Sequence, residues 1–247
     1  MSNRGKNMKV TIFNGSPKGQ RGNTSIIVDR LSQGMTEAGA SVEKIYLSDL
    51  KIRQCCGCLS CFALHPGRCV IDDDMKPLLM KYALSDLVGF ATPLYSNNMT
   101  GLLKNFIDRT LPLYNYHMEI NDSGNYYHSP LSEKQQKVFV VSNCGFPGSN
   151  NFEILRRIFA VFSPIAEIYR SSGMALTADE GDITIYPKRI VSKIIRYKKF
   201  LPKAGYEMIK KGFISQKTMM ILNEPFGSDM QIQDIVNRYY EGIAVKK

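Results

Sequence analysis

Residues 9–35 have the sequence KVTIFNGSPKGQRGNTSIIVDRLSQGM, which indicates a β-strand, a glycine-rich loop and an α-helix in succession. The run up to Asn14 is β-branched and aromatic, and residues 15–24 are rich in glycine and polar side chains. Apolar residues then recur at helical spacing as far as Met35, and Gly39 supplies a helix end. A strand, a loop and a helix in this order begin a βαβ unit.

The same alternation continues along the chain. Short apolar runs predict further strands at Val42–Leu47, Leu87–Ala91, Val138–Ser142 and Tyr169–Leu176. Helical spacing predicts helices at Met75–Leu84, Thr100–Arg109 and Phe152–Phe162. Residues 110–135 have little periodicity, and we expect a long loop or excursion there. Five strands that alternate with helices predict an α/β fold, with a doubly wound parallel sheet and helices on both of its faces.

The positive charge of the chain is concentrated towards its C-terminal end. The net charge is +10, and residues 188–217 contain ten Lys or Arg residues against one acid, a net +9. Apolar residues in this segment form one face of a helix: Ile190, Ile194, Ile195, Tyr197 and Leu201. We therefore predict an α/β domain over residues 1–186 and a basic helical appendage over residues 187–247, broken at Pro202 and Pro225.

The composition excludes several classes of protein. At 44% hydrophobic and 22% charged residues, the chain is typical of a globular protein rather than of a disordered or fibrous one. No apolar run approaches the ~20 residues that a membrane helix needs. The N-terminus is basic and polar, and no apolar signal-peptide stretch follows it, so we expect a cytoplasmic protein.

Three predicted strands end in loops of small and polar residues, at 15–24, 92–99 and 143–148. In an open α/β sheet, ligands bind at the carboxyl ends of the strands, so these loops predict one binding edge. The first loop has neither common nucleotide fingerprint, G-x-x-x-x-G-K-[ST] or G-x-G-x-x-G. Its hydroxyl and amide side chains at a helix N-terminus suit a single phosphate, which indicates a mononucleotide.

The cysteines are clustered, since five of the six lie between residues 55 and 69. The spacing Cys55-x2-Cys58-x2-Cys61-x7-Cys69 supplies four thiolates over a short reach. Such a set suits a [4Fe–4S] cluster, zinc, or free redox-active thiols, and Cys56 could replace Cys55 as a ligand. These alternatives stay open at this point.

Three motifs together resemble the flavodoxin-like NAD(P)H-dependent FMN reductases, and within them the branch that contains the iron–sulfur flavoproteins. The motifs are GSPKGQRGNTS at residues 15–25, TPLYSNNMTGLLKNFIDR at 92–109, and CCGCLSC at 55–61 followed by CVIDDDM at 69–75. The resemblance covers roughly residues 8–180. It implies a strand order of 2-1-3-4-5, with the flavin bound at the topological switch point between strands 1 and 3.

The resemblance also implies which residues bind FMN. Those that would bind its phosphate are Ser16, Lys18, Asn23, Thr24 and Ser25. Those that would line one side of the isoalloxazine ring are Pro93, Leu94, Tyr95, Ser96 and Asn98. Those that would close its other side are Asn143, Cys144, Gly145 and Phe146. Because the chain has no Trp, any aromatic stacking on the ring must come from Tyr or Phe. We interpret Cys144 as a small buried apolar residue rather than a redox thiol.

The resulting functional hypothesis is an FMN-dependent oxidoreductase. NAD(P)H would reduce the flavin, which would pass electrons to a quinone-like, small-molecule or protein acceptor, and no catalytic side chain is required. One alternative is an iron–sulfur flavoprotein for electron transfer, with a [4Fe–4S] cluster on the four cysteines. Another is a non-catalytic flavodoxin-like binding or sensor module. The family resemblance further implies a homo-dimer or tetramer.

The basic segment has three interpretations. The commonest arrangement is a helix docked on the body with its charges in solvent. Electrostatic capture of NADPH or of an acidic electron-transfer partner is the second, and binding of nucleic acid or of a membrane surface is the third. No DNA- or RNA-binding motif accompanies the basic residues, so nucleic acid is the weakest of these partners.

Overall fold

The computed structural model describes residues 7–178 and 185–244. The strands are β1 Lys9–Asn14, β2 Ser41–Tyr46, β3 Leu87–Pro93, β4 Tyr114–Ile120, β5 Tyr126–Pro130, β6 Lys137–Asn143 and β7 Ala166–Arg170. The helices are α1 Asn23–Glu37, α2 Ser60–Ala63, α3 Met75–Leu84, α4 Gly101–Asp108, α5 Glu153–Phe159, α6 Lys188–Lys211, α7 Gln216–Leu222 and α8 Asp229–Ala244. Among these described helices, none is both long and apolar enough to cross a lipid bilayer.

Five of the strands form one parallel sheet in the order β2-β1-β3-β6-β7. Because β4 and β5 lie outside this sheet, its order is the predicted 2-1-3-4-5, and the flavodoxin-like fold is confirmed. Side chains alternate between the two faces along each strand. In β6, Val138 and Val140 pack towards α3, α4 and α5, whereas Phe139 and Val141 pack towards α1 and α6.

The prediction of a fifth strand at Tyr169–Leu176 is wrong in its bounds. The strand is Ala166–Arg170, and the chain then turns at Ser172, which has a φ of +57°. Gly173–Thr177 forms a 3-10 turn whose Ala175 and Leu176 are buried. The apolar run therefore reflects burial in a turn rather than an extended strand.

Residues 110–135, predicted to be a long loop or excursion, are an excursion from the main sheet that contains two strands rather than a loop. β4 and β5 form an antiparallel hairpin in which Met118 pairs with His128 and Ile120 pairs with Tyr126. The side chain of Asn121 accepts hydrogen bonds from the backbone N–H groups of Ser123 and Asn125 and so closes the turn. The apolar residues of β4 alternate along the strand but are exposed, so they do not form a face towards the core.

The helix α6 continues through Pro202, so the predicted break at that residue is wrong. A proline inside a helix costs about 3 kcal/mol, because it removes one backbone donor and crowds the preceding turn. Packing offsets that cost, since one face of α6 is buried against α1. Of the five apolar residues predicted for this face, Ile195 is instead 50% exposed.

The crossing of α6 over α1 depends on two glycines. A Cβ added at Gly34 would lie 1.7 Å from the carbonyl oxygen of Pro202, and one added at Gly205 would lie 2.1 Å from that of Leu31. The two backbones are therefore closer than any side chain would allow. The proposed division into residues 1–186 and 187–247 stays a prediction, and residues 1–6, 179–184 and 245–247 lie outside the described residues.

Glu207 joins the end of α6 to the beginning of α7. Its carboxylate accepts hydrogen bonds from the backbone N–H of Ser215 at 2.9 Å and from the Ser215 hydroxyl at 2.9 Å. Lys211 donates a third at 3.2 Å. Burial raises the pKa of Glu207, but these hydrogen bonds together lower it by a larger amount. The pKa of Glu207 is therefore below the ordinary value of 4.5.

We expect this lowered pKa to make the chain more sensitive to acid than the Glu207→Gln variant. A carboxyl with a depressed folded-state pKa stabilises the fold above its unfolded pKa, and that stabilisation is lost as the pH falls through the folded-state pKa. Urea unfolding at pH 6 and at several pH values below 4.5 measures the effect. The wild-type free energy of unfolding should fall more steeply than that of the variant, and parallel curves would contradict this assignment.

Candidate functional site

The three strand-end loops meet at the carboxyl edge of the sheet and are hydrogen-bonded to one another. The hydroxyl of Thr100 donates to the carbonyl of Gly15 at 2.7 Å, which joins the first loop to the second. The backbone N–H of Leu94 donates to the carbonyl of Asn143 at 2.8 Å, which joins the second to the third. The side chain of Asn143 donates to the hydroxyl of Thr24 at 2.8 Å and closes the ring of contacts.

The first loop is shaped by its own side chains. Asn14, at the end of β1, accepts from the N–H of Ser16 at 2.9 Å and donates to the hydroxyl of Ser25 at 3.0 Å. The Ser25 hydroxyl in turn donates to the carbonyl of Gly19 at 2.7 Å. Both functions of that hydroxyl are thus used within the loop, whereas the buried Thr24 hydroxyl accepts from Asn143 and retains its proton for another partner.

The same loop presents donors around the first turn of α1. Gly22 precedes the helix, and no side chain among the described residues caps its N-terminus. Lys18 is exposed and Asn23 is half-buried beside this turn. Free N–H groups at a helix N-terminus, a partial positive charge and a nearby cation together favour an anion such as a phosphate monoester.

In the second loop, a tight two-residue turn comes after Pro93 and Leu94. Tyr95 and Asn98 exchange two backbone hydrogen bonds, each of 2.9 Å, across Ser96 and Asn97, which have φ values of +47° and +60°. Asn tolerates this left-handed region, and a serine there needs the support of its neighbours. The Tyr95 side chain is 50% exposed at the edge of the sheet, where it is accessible for stacking.

The third loop is fixed to the end of β7. The N–H of Cys144 donates to the carbonyl of Arg170 at 3.1 Å, and the N–H of Gly173 donates to the carbonyl of Cys144 at 2.7 Å. Burial raises the pKa of the Cys144 thiol to about 11, which agrees with its interpretation as a small buried apolar residue. Phe146, beyond the half-buried Gly145, is 70% exposed and forms a second aromatic surface at this edge.

Two residues that shape the site were not among those predicted to form it. Asn14 organises the first loop, and its position after the last apolar residue of β1 is a signal that the sequence contains. Thr100 caps α4 by accepting from the N–H of Leu103 at 3.3 Å while it donates to Gly15. A threonine directly before an amphipathic helix is an N-cap signal. The hydrogen bond from Thr100 to the carbonyl of Gly15 has no such signal in the neighbouring sequence.

The cysteine segment follows β2 in the chain and is largely accessible. Cys55, Cys56 and Cys58 are exposed on a stretch without regular secondary structure, and Cys61 and Cys69 are partly buried. Burial raises the pKa of the Cys61 thiol, and the charge of Cys69 and smaller effects of Cys55 and Cys58 act in the same direction. The three other predicted ligands therefore lie close enough to Cys61 for their charges to act on its thiol.

The chemistry of these donors suits a cluster. Within residues 7–178 and 185–244, no three His, Cys, Asp or Glu side chains form a group that could hold one metal ion. A [4Fe–4S] cluster makes a different demand, because each cysteine binds its own iron and the sulfur atoms stay further apart than the ligands of a single ion. The thiols at Cys55, Cys58, Cys61 and Cys69 fit that demand in type and number.

Comparisons with known proteins identify the family of the chain. The sequence model of a family described as NADPH-dependent FMN reductase matches residues 8–162. An iron-sulfur flavoprotein of Archaeoglobus fulgidus is 33% identical in an alignment of 229 positions that covers 84% of this chain and 100% of that protein.

Two solved structures share the fold. An FMN-dependent NADH-azoreductase from Bacillus anthracis in complex with FMN has a TM-score of 0.58 and 13% identity, over 82% of this chain and 100% of that one. An NAD(P)H:quinone oxidoreductase from Methanothermobacter marburgensis has a TM-score of 0.58 and 15% identity, over 82% and 98%. With the family match over residues 8–162, the conclusion is that the chain belongs to the NADPH-dependent FMN reductase family.

Proposed function

We propose that the chain is an FMN-dependent oxidoreductase that takes electrons from NAD(P)H and passes them to a small-molecule or protein acceptor. The observation that carries this proposal is the ring of hydrogen bonds among the three strand-end loops. It brings an uncapped helix N-terminus, with Lys18 beside it, to the same edge as the exposed rings of Tyr95 and Phe146. A phosphate site and aromatic surfaces at one edge of the sheet match the two ends of a flavin mononucleotide.

The residues of this edge have distinct roles in the proposal. Ser16, Lys18, Asn23 and Thr24 bind the phosphate, and Ser25 holds the loop in its binding shape. The residues that line one side of the isoalloxazine ring are Pro93, Leu94, Tyr95, Ser96 and Asn98. The residues that line the other side are Asn143, Cys144, Gly145 and Phe146. FMN, when bound, supplies the hydride and electron chemistry, so the side chains bind, orient and shield it without acting as acid or base.

A second candidate function is electron transfer by a flavoprotein with an iron–sulfur cluster. The observation that favours it is the closeness of the three other predicted ligands to Cys61, in a chain that resembles an iron-sulfur flavoprotein over most of its length. Cys55, Cys58, Cys61 and Cys69 would hold the cluster, with Cys56 as the alternative first ligand. A cluster, when bound, supplies one-electron transfer.

Anaerobic purification of the full chain tests both proposals. We expect a yellow protein with about one FMN per chain, and NADH or NADPH oxidation that depends on an added quinone or ferric acceptor. A colourless protein that binds no added FMN would sink the first proposal. About four iron and four sulfide per chain support the cluster, and a yellow protein without iron rejects it.

The remaining proposals concern partners. We propose a homo-dimer or tetramer, which sedimentation of the purified chain tests directly.

On the basic face of α6, Lys193 and Arg196 form ion pairs with Glu224 of the same chain. If NAD(P)H oxidation is absent and the chain binds nucleic acid in a salt-sensitive manner, the binding-module alternative replaces the enzyme.

A further inference from the structure

Arg109 is a buried cation that lies between the two ends of the cysteine segment. Its side chain is 1% exposed, and it donates to both carboxylate oxygens of Asp73, at 2.9 and 3.0 Å. It also donates to the backbone carbonyl of Arg53 at 2.6 Å. Arg53 precedes the first cysteine, at position 55, and Asp73 follows the last, at position 69, so one guanidinium binds the chain on both sides of the set.

Further bonds hold these two chain segments together. Asp73 accepts from the N–H of Arg53 at 2.9 Å, and the neighbouring Asp74 accepts from the N–H of Lys51 at 2.7 Å. From α4, Asn105 donates to the carbonyl of Ile52 at 2.7 Å. The bidentate pair is the buried centre of this arrangement, and a two-pronged Arg–carboxylate contact fixes orientation as well as distance.

The guanidinium also has an unused donor. Among the described residues, the Nε atom of Arg109 is buried and has no hydrogen-bond partner. A buried donor with no partner costs free energy, and an acceptor brought to it would remove that cost.

We infer that Arg109 is a positioning residue for the cysteine segment, which it binds at both ends while holding a buried positive charge beside that segment. This inference rests on the proposed cluster for its redox consequence. Outer contacts orient the ligands of a metal centre, and hydrogen bonds and charge near the sulfurs set its reduction potential. A buried positive charge favours the more negative, reduced form, so Arg109 should make the cluster easier to reduce.

The variants Arg109→Met and Arg109→Lys test the inference in the full chain, with Lys104→Ala as the matched control. Lys104 is on the same helix but forms an exposed pair with Asp108 at 2.6 Å. In Arg109→Met we expect peptides covering residues 51–59 and 69–75 to exchange amide hydrogen at least tenfold faster, a loss of about 1.4 kcal/mol of local protection. Iron per chain should fall below half of the wild-type value, and the remaining cluster should have a lower midpoint potential.

Arg109→Lys keeps the charge but loses the two-pronged contact. We expect it to recover the midpoint potential while exchange in the two peptides stays faster than in the wild type. Lys104→Ala should match the wild type in every measurement. If Arg109→Met does not fold, as judged by circular dichroism and FMN content, Arg109→Lys decides alone, and wild-type exchange in both of its peptides overturns the inference.

The outcomes separate this inference from the proposed cluster. A wild-type chain without iron rejects the cluster, and the exchange rates then decide whether Arg109 holds the two segments together. Iron in the wild type, with the same exchange rates, iron content and potential in Arg109→Met, leaves the cluster in place and overturns the positioning role.

Discussion

Replacing Gly34 with alanine is expected to lower the free energy of unfolding by about 3 kcal/mol. The new Cβ would lie 1.7 Å from the carbonyl oxygen and 2.4 Å from the carbonyl carbon of Pro202. Both atoms belong to the backbone of α6, so neither can swing aside as a side chain could. The two helices must move apart, and the buried faces of α1 and α6 lose contact along their length.

Gly242 supplies the matched control, because a Cβ added there in α8 meets nothing within 4 Å. Gly242→Ala should leave stability unchanged or raise it by about 0.5 kcal/mol, the gain in helix propensity. In thermal unfolding, Gly34→Ala should melt roughly 6–12 °C below the wild type. Equal melting temperatures for the two variants would mean that α1 and α6 do not approach as closely as described.

Replacing Gly15 with alanine is expected to weaken FMN binding roughly tenfold to a hundredfold, which is about 1.4–2.8 kcal/mol. The added Cβ would lie 2.7 Å from the Cβ of Leu103 and 3.0 Å from the hydroxyl oxygen of Thr100. The first loop would move away from α4, and the bond from Thr100 to the Gly15 carbonyl would break. Because the loop proposed to bind the phosphate and the loop proposed to bind the ring are joined there, the two ends of the flavin would lose their fixed separation.

Titration of the FMN-free protein with FMN, followed by the loss of flavin fluorescence, measures this effect. Gly101→Ala is the control, since its Cβ meets nothing within 4 Å at the first residue of α4. It should bind FMN as the wild type does. If the Gly15→Ala variant binds FMN with wild-type affinity, FMN binding does not depend on the contact between Gly15 and α4. That result would count against the proposed site.

The architecture could be predicted because its signals are local. β1, its glycine-rich loop and α1 follow each other in a pattern of apolar residues that needs no distant contact. The order of the strands came from the family resemblance rather than from periodicity, and the structure confirms it. Element bounds were less predictable, because Ala175 and Leu176 are apolar through burial in a turn and not through strand formation.

The hairpin was missed for a related reason. Tyr116, Met118 and Ile120 alternate as a strand should, but their apolar face is exposed, so the usual rule of an apolar face towards the core gave no support. Pro202 was a misleading signal in the other direction. Its local effect breaks helices, and only the contact with α1 explains why α6 continues.

The site could be predicted as a set of loops but not as a network. The bond between Asn143 and Thr24 joins residues 119 positions apart, and no pattern near either one announces it. Ser25 was predicted to contact phosphate, and that prediction stands untested, but its hydroxyl is already used inside the loop. Side-chain chemistry identifies candidates, whereas their division between binding and shaping emerges only from the folded chain.

The packing of α1 against α6 has a consequence for synthesis of the chain. α1 ends at Glu37 and α6 begins at Lys188, so a ribosome adds about 150 residues between the two helices, which takes on the order of ten seconds. During that time Leu31 and Met35 lack the partner that buries them. The C-terminal half of α1 therefore reaches its final packing only when the last quarter of the protein has emerged, and its apolar face lacks that cover until then.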